Sequence, residues 1–222
     1  MSDKISKNKA ECLFWLGRYT QRVYAVLHFF RKFRDMLIEE PEDYTVFCEK
    51  LGVADKYSSA EDFMLRYLFS KDDGVSLRSA LHNAFNNAIV VRELIKSETF
   101  SYVQLALGKM EECAAKGSDV NELQELTDSL MAFWGAVDER IFQSETRNMI
   151  KAGWFLEELD LHIRFDYSFP RLQNMFRRLE QRVLKDTDVF DMGKFLELKE
   201  ALALPGAAKD HLLYLLSCLL IL

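Results

Sequence analysis

Four charged residues stand at spacings that can do chemistry. Arg18 and Arg22 lie four positions apart, and Glu157 and Asp160 lie three apart. On a helix each pair shares a face. Two guanidiniums so placed repel by roughly a few tenths of a kcal/mol, and carboxylates or a bound anion relieve the repulsion. The segments around them echo each other. Leu16-Gly17-Arg18-Tyr19-Thr20-Gln21-Arg22-Val23-Tyr24 lines up with Ala152-Gly153-Trp154-Phe155-Leu156-Glu157-Glu158-Leu159-Asp160. Each places a glycine mid-helix, an aromatic two residues on, and a polar pair four and five residues on. A mid-helix glycine costs about 1 kcal/mol relative to alanine, so the twin glycines predict two helices in close approach. Packed there, Arg22 is expected to meet Glu157. A salt-bridge network that fixes helix register is the first reading. The alternatives are a polar cleft for an anionic or peptide-like ligand, and acid–base work by Glu157 and Asp160. Asp160 and Arg164, four apart, read as an ordinary helix-surface pair.

Other chemistries lack their signatures. Helical di-iron sites use Glu-x-x-His repeats, and no histidine here has a glutamate three positions before it. His28, His82, His162 and His211 form no H-x-x-x-H pair, and each reads as a surface or satisfied core histidine. No P-loop, G-x-G-x-x-G or G-x-S-x-G string is present. Cys12, Cys48, Cys113 and Cys218 show no CxxC spacing and read as buried reduced thiols of a cytoplasmic protein. Cys12 has no assigned base, so a thiol nucleophile is unsupported. No metal or other cofactor is implied.

The elements that must position these residues are helices. The 222 residues include 9 Gly and 3 Pro, with 49% hydrophobic and 13% aromatic residues. So few breakers exclude collagen-like, disordered and turn-rich all-β chains. The expectation is one all-α domain over 1–222, a helical bundle of about six to nine helices with a pseudo-repeated long helix. The first helix is predicted over about Lys9–Glu39, because Leu16, Tyr19, Val23, Val26, Leu27, Phe30, Phe33 and Leu37 repeat at steps of three and four. Pro41 should end it. Further helices are predicted over Asp43–Leu51, Ala60–Ser70, Ser76–Lys96, Thr99–Lys116, Val120–Val137, Asp138–Phe165, Arg171–Lys185, Met192–Leu204 and Ala208–Leu222, with Gly117-Ser118-Asp119 as a cap. The aromatic stripe Phe14, Trp15, Phe29, Phe30 and Phe33 reads as core.

Charge and hydropathy bound the partners. A net charge of −6 gives no global footprint for nucleic acid. The apolar stretch after Lys4, Lys7 and Lys9 is too short for a signal peptide. The run Leu212–Leu222 is shorter than the about 20 residues of a membrane span. It reads as a buried terminal helix, with partner docking (a homodimer included) or peripheral membrane contact as the alternatives.

The opening string Ala10-Glu11-Cys12-Leu13-Phe14-Trp15-Leu16-Gly17-Arg18-Tyr19-Thr20-Gln21-Arg22 resembles the signature of the Alpha-E family, bacterial all-helical proteins named for a repeated Glu-Arg motif. Typical members open with an A-E-N-L-F-W-L-G-R-Y-x-E-R-like string and carry a second L-G-R-[FY]-x-E-R-A-D string, to which the Gly153 segment is similar. Ser76-Leu77, Asn87, Val91-Arg92-Glu93 and Ser97-Glu98 resemble a middle block, and Ser168-Phe169-Pro170-Arg171 a later F-P-R string. The resemblance is strongest over 10–40 and weaker over 76–98 and 145–182. Gln21 replaces the first glutamate of the Glu-Arg pair, while Trp154 and Glu158 replace two arginines of the second motif. The resemblance implies that Asn87, Arg92, Glu93 and Glu98 line the same polar centre as Arg18, Arg22, Glu157 and Asp160; by residue type alone they read as a solvated helix face. It also implies an association with an ATP-grasp peptide ligase and a transglutaminase-like peptidase. A non-catalytic helical binding or adaptor protein is therefore the expected role, with a divergent enzyme or a structural homodimer as alternatives.

Overall fold

The computed structural model describes residues 5–39, 44–117 and 120–221, and side chains outside 32–39 and 120–121. Pro41, Ser118 and Asp119 lie outside the described residues, as do the side chains of Phe33 and Leu37. Eleven α-helices follow in chain order among the described residues: α1 (Lys7–Glu39), α2 (Tyr44–Leu51), α3 (Ala60–Phe69), α4 (Leu77–Val90), α5 (Arg92–Ile95), α6 (Ser97–Lys116), α7 (Gln124–Arg140), α8 (Ser144–Arg164), α9 (Phe169–Val183), α10 (Met192–Ala201) and α11 (Lys209–Ser217). No strand occurs among them; the one β feature is an isolated bridge between Phe190 and Leu220. The chain is all-α.

Two of the helices differ from expectation. Ser76–Lys96 divides at Val91, whose backbone (φ −104°, ψ 15°) leaves the helical region while its side chain stays fully buried. Lys96 then takes φ +70° to turn the chain into α6. The helix expected from Asp138 begins instead at Ser144. Ile141 and Gln143 are extended, because the buried Ile141 pins the link and leaves Phe142 84% exposed. Elsewhere local chemistry sets the ends. Ser59 Oγ accepts from the Asp62 amide at 3.2 Å, Ser76 Oγ from the Ser79 amide at 3.0 Å, and Gly117 ends α6 at φ +64°. Each N-terminal serine contributes about 1 kcal/mol to its helix.

The chain divides into two compact units, one of residues 1–18 and 143–222, the other of 19–142. In the first, the start of α1 supplies Leu13, Phe14 and Leu16 to a core shared with Ile150, Leu156 and Leu159 of α8 and Leu179 and Val183 of α9. Phe14 meets Phe190 edge-on at 6.1 Å, and Phe176 stacks on Phe195 at 5.6 Å. The terminal helix α11 is buried as expected. Leu212, Leu215 and Leu216 face inward, with α8 and α10 as its neighbours. The Asp191 amide donates to the Leu219 carbonyl at 2.8 Å, and the Ile221 amide to the Val189 carbonyl at 3.1 Å.

The second unit packs α6 against α4 and α7. Its aromatic core gathers Phe30, Phe47, Phe63 and Tyr67, with Phe30 5.2 Å from Phe47 and 5.4 Å from Phe63. Arg78 on α4 forms a bidentate pair with Glu111 on α6, whose other partner, His82, stands 2.9 Å away. These contacts tie α4 to α6. No helix among the described residues is long and apolar enough to cross a membrane.

Candidate functional site

The first unit is organised around its two mid-helix glycines. A Cβ built on Gly17 would stand 3.0 Å from the Ile150 carbonyl carbon and nearer still to its oxygen. One built on Gly153 would stand 2.8 Å from the Phe14 carbonyl carbon, again nearer the oxygen. Backbone therefore rests on backbone where α1 crosses α8, which only residues without a Cβ permit. The close approach that the twin glycines predict is present.

The crossing brings Arg18 onto Glu157. Arg18 donates from Nε at 2.8 Å to the carboxylate oxygen Oε2, and its Nη2 stands 2.7 Å from the same oxygen as an ion pair. The Glu157 side chain is 2% exposed. Arg18 also lies over the Trp15 ring at 4.9 Å, which covers the cation's face with apolar surface. Within this unit Glu157 thus meets Arg18; Arg22, which the motif alignment pairs with it, belongs to the second unit. The physical reason is the glycine contact itself. It sets the Arg18 amide 3.1 Å from the Gly153 Cβ position, one helical turn from Glu157. Asp160 is closed by its own helix, with Arg164 Nε 2.5 Å from its Oδ1. This pair is more enclosed than the surface pair expected, since Asp160 is buried.

Two neighbours on α8 went unrecognised in the sequence as site residues. His162 is buried rather than satisfied: its Nδ1 has no hydrogen-bond partner among the described residues. Burial, and then the charge of Arg171, push its pKa down to about 4. Glu158 lies 4.0 Å from His162 Nε2. Burial raises its carboxyl above the usual range, against the opposing charges of Arg178 and Arg171. The i, i+4 spacing of Glu158 and His162 was the available signal.

The low histidine pKa makes a pH prediction. The unfolded chain holds a proton on His162 below about 6.5, while the folded chain refuses it until about pH 4. The unfolded state therefore binds more protons in that window, and stability falls as pH drops from 6.5 towards 4, by about 3 kcal/mol in all. His162→Gln should flatten this limb of the pH–stability curve. An imidazole that titrates by NMR near pH 6.5 would contradict the assignment.

The eight sequence candidates fall into two sets. Arg18, Glu157 and Asp160 belong to the first unit; Arg22, Asn87, Arg92, Glu93 and Glu98 belong to the second. Within the second unit Arg22 and Asn87 are half-buried, and Arg92 and Glu98 are exposed. Arg92 lies over Phe100 at 5.1 Å and edges a shallow depression of about 500 Å³ with Glu93, Lys96 and Ser97. Arg92 and Glu98 thus show the solvated face that their residue types suggest. The four cysteines are free thiols, and burial pushes the Cys48 thiol up to about 11, away from reactivity. No three His, Cys, Asp or Glu side chains among the described residues gather as a metal set.

The crossing and its ion pair define the class: an all-helical protein whose glutamate and arginine, from separate turns of a repeated motif, close a paired-glycine contact. The chain belongs to the Alpha-E family. The model of that family, a predicted alpha-helical domain with a conserved ER motif, matches residues 6–202. No curated protein and no solved structure matches the chain.

Proposed function

We propose that this chain is a non-catalytic helical binding protein that acts beside an ATP-grasp peptide ligase and a transglutaminase-like peptidase. One observation carries the reading against the enzymatic one. The carboxylates that acid–base chemistry would need, Glu157 and Asp160, are buried and each is closed by an arginine. A general acid or base must reach substrate with a free oxygen and an adjustable proton; Glu157 instead ties α1 to α8, and Asp160 is engaged by Arg164 of its own helix. The choice of partners rests on the family resemblance. A structural homodimer through the C-terminal helix is the weaker reading, because Leu212, Leu215 and Leu216 are already buried.

The test is copurification of the tagged full chain with an ATP-grasp peptide ligase and a transglutaminase-like peptidase of the same organism. A stoichiometric complex with either is the expected result. Failure of both to bind, with unchanged ligase turnover when the chain is added, contradicts the adaptor role.

A further inference from the structure

The seam between α8 and α9 carries charge that the ion pairs of the first unit do not use. Arg171 and Arg178 lie seven residues apart on α9, about 10.5 Å along one face. Both are exposed, and neither has an ion pair among the described residues. Aromatic rings carry them instead. Arg171 sits 4.2 Å over Tyr167, and Arg178 5.9 Å over Phe155. The two supports are joined through α8: Tyr167 lies 4.3 Å from the His162 ring, and Trp154 stacks on Phe155 at 5.2 Å. Glu158 stands between, 4.0 Å from His162. Two guanidiniums, shelved on rings, thus flank a half-buried carboxyl group without closing on it. Beside them His162, 4% exposed, keeps an unpartnered Nδ1.

We propose that this α8–α9 seam is a binding site for a small oxyanion, a carboxylate or phosphate group held between Arg171 and Arg178 beside Glu158 and His162. Guanidinium forks match both oxyanions, and an arginine lying on an aromatic ring loses little freedom when it binds. Glu158 favours the charged form less than an ordinary carboxylate does, because burial disfavours it. In its charged form it competes with an incoming anion, and in its neutral form it donates a hydrogen bond to one. The site does not depend on the adaptor role.

The experiment is calorimetric titration of the full chain with inorganic phosphate and, separately, with glutarate, at constant ionic strength. At least one probe is expected to bind with a dissociation constant of about 1 mM or tighter. Arg171→Gln and Arg178→Gln should each weaken it about tenfold, as loss of a charge-assisted hydrogen bond does. Glu158→Gln should tighten it several-fold by removing the competing charge, and Arg177→Gln, on the same helix, should leave it unchanged. Preference for phosphate or for glutarate assigns the natural source of the oxyanion, and either supports the site. No heat with either probe, or an equal loss in Arg177→Gln, overturns it.

Discussion

Gly153→Ala should lower the stability of this protein by about 3 kcal/mol, with Gly17→Ala close behind. The added methyl has nowhere to go. At Gly153 it meets the Phe14 carbonyl, and at Gly17 the Ile150 carbonyl and, at 3.0 Å, the Trp154 amide. All are backbone atoms, which cannot rotate aside as a side chain does. The helices must separate, and the core contacts of Phe14 and Ile150 separate with them. Gly108 and Gly135 supply the control. Each sits inside a helix with nothing within 4 Å of its Cβ position. There the same substitution should raise stability by about 0.5–1 kcal/mol, as helix propensity requires. Urea denaturation followed by circular dichroism reads all four. If Gly153→Ala proves as benign as Gly108→Ala, the crossing is not where the structure puts it.

Removing Arg18 is the second large effect. Arg18→Met leaves the Glu157 carboxylate, 2% exposed, without the hydrogen bond and the ion pair that Arg18 supplies. Stranding a buried charge in this way costs about 3–5 kcal/mol. Arg92→Met makes the comparison, since an exposed arginine over a ring should cost less than about 1 kcal/mol. The same denaturation experiment measures both. Equal losses would mean that Arg18 acts through its apolar stem, not through its charge.

Much of this arrangement is visible in the sequence, for a physical reason. In a chain with 9 glycines, two in matching helical positions are hard to explain by propensity, which disfavours them, and easy to explain by a close approach. The long helices, the buried C-terminal segment and the left-handed Gly117 follow from periodicity and turn chemistry. That Arg18 pairs with Glu157 does not. The motif alignment counts residues along each helix, whereas the crossing sets Gly153 beside Phe14 and Arg18. The helix ends at Val91 and Ile141 carry neither glycine nor proline; burial of those two side chains fixes them. The α8–α9 seam is hidden for a similar reason. Glu158 and His162 announce themselves by spacing, but Arg171 and Arg178 join them only once α9 packs on α8.

We read Arg18 and Glu157 as a structural clamp at the glycine crossing, not a reactive pair. A double-mutant cycle tests it most directly, with urea denaturation of the wild type, Arg18→Met, Glu157→Leu and the double variant. A clamp predicts that each single change destabilises strongly and that the double variant loses far less than the sum of the two, a coupling of about 3 kcal/mol or more, because apolar residues of similar size replace buried ion pairs at little cost. Additive losses in the double variant would contradict it.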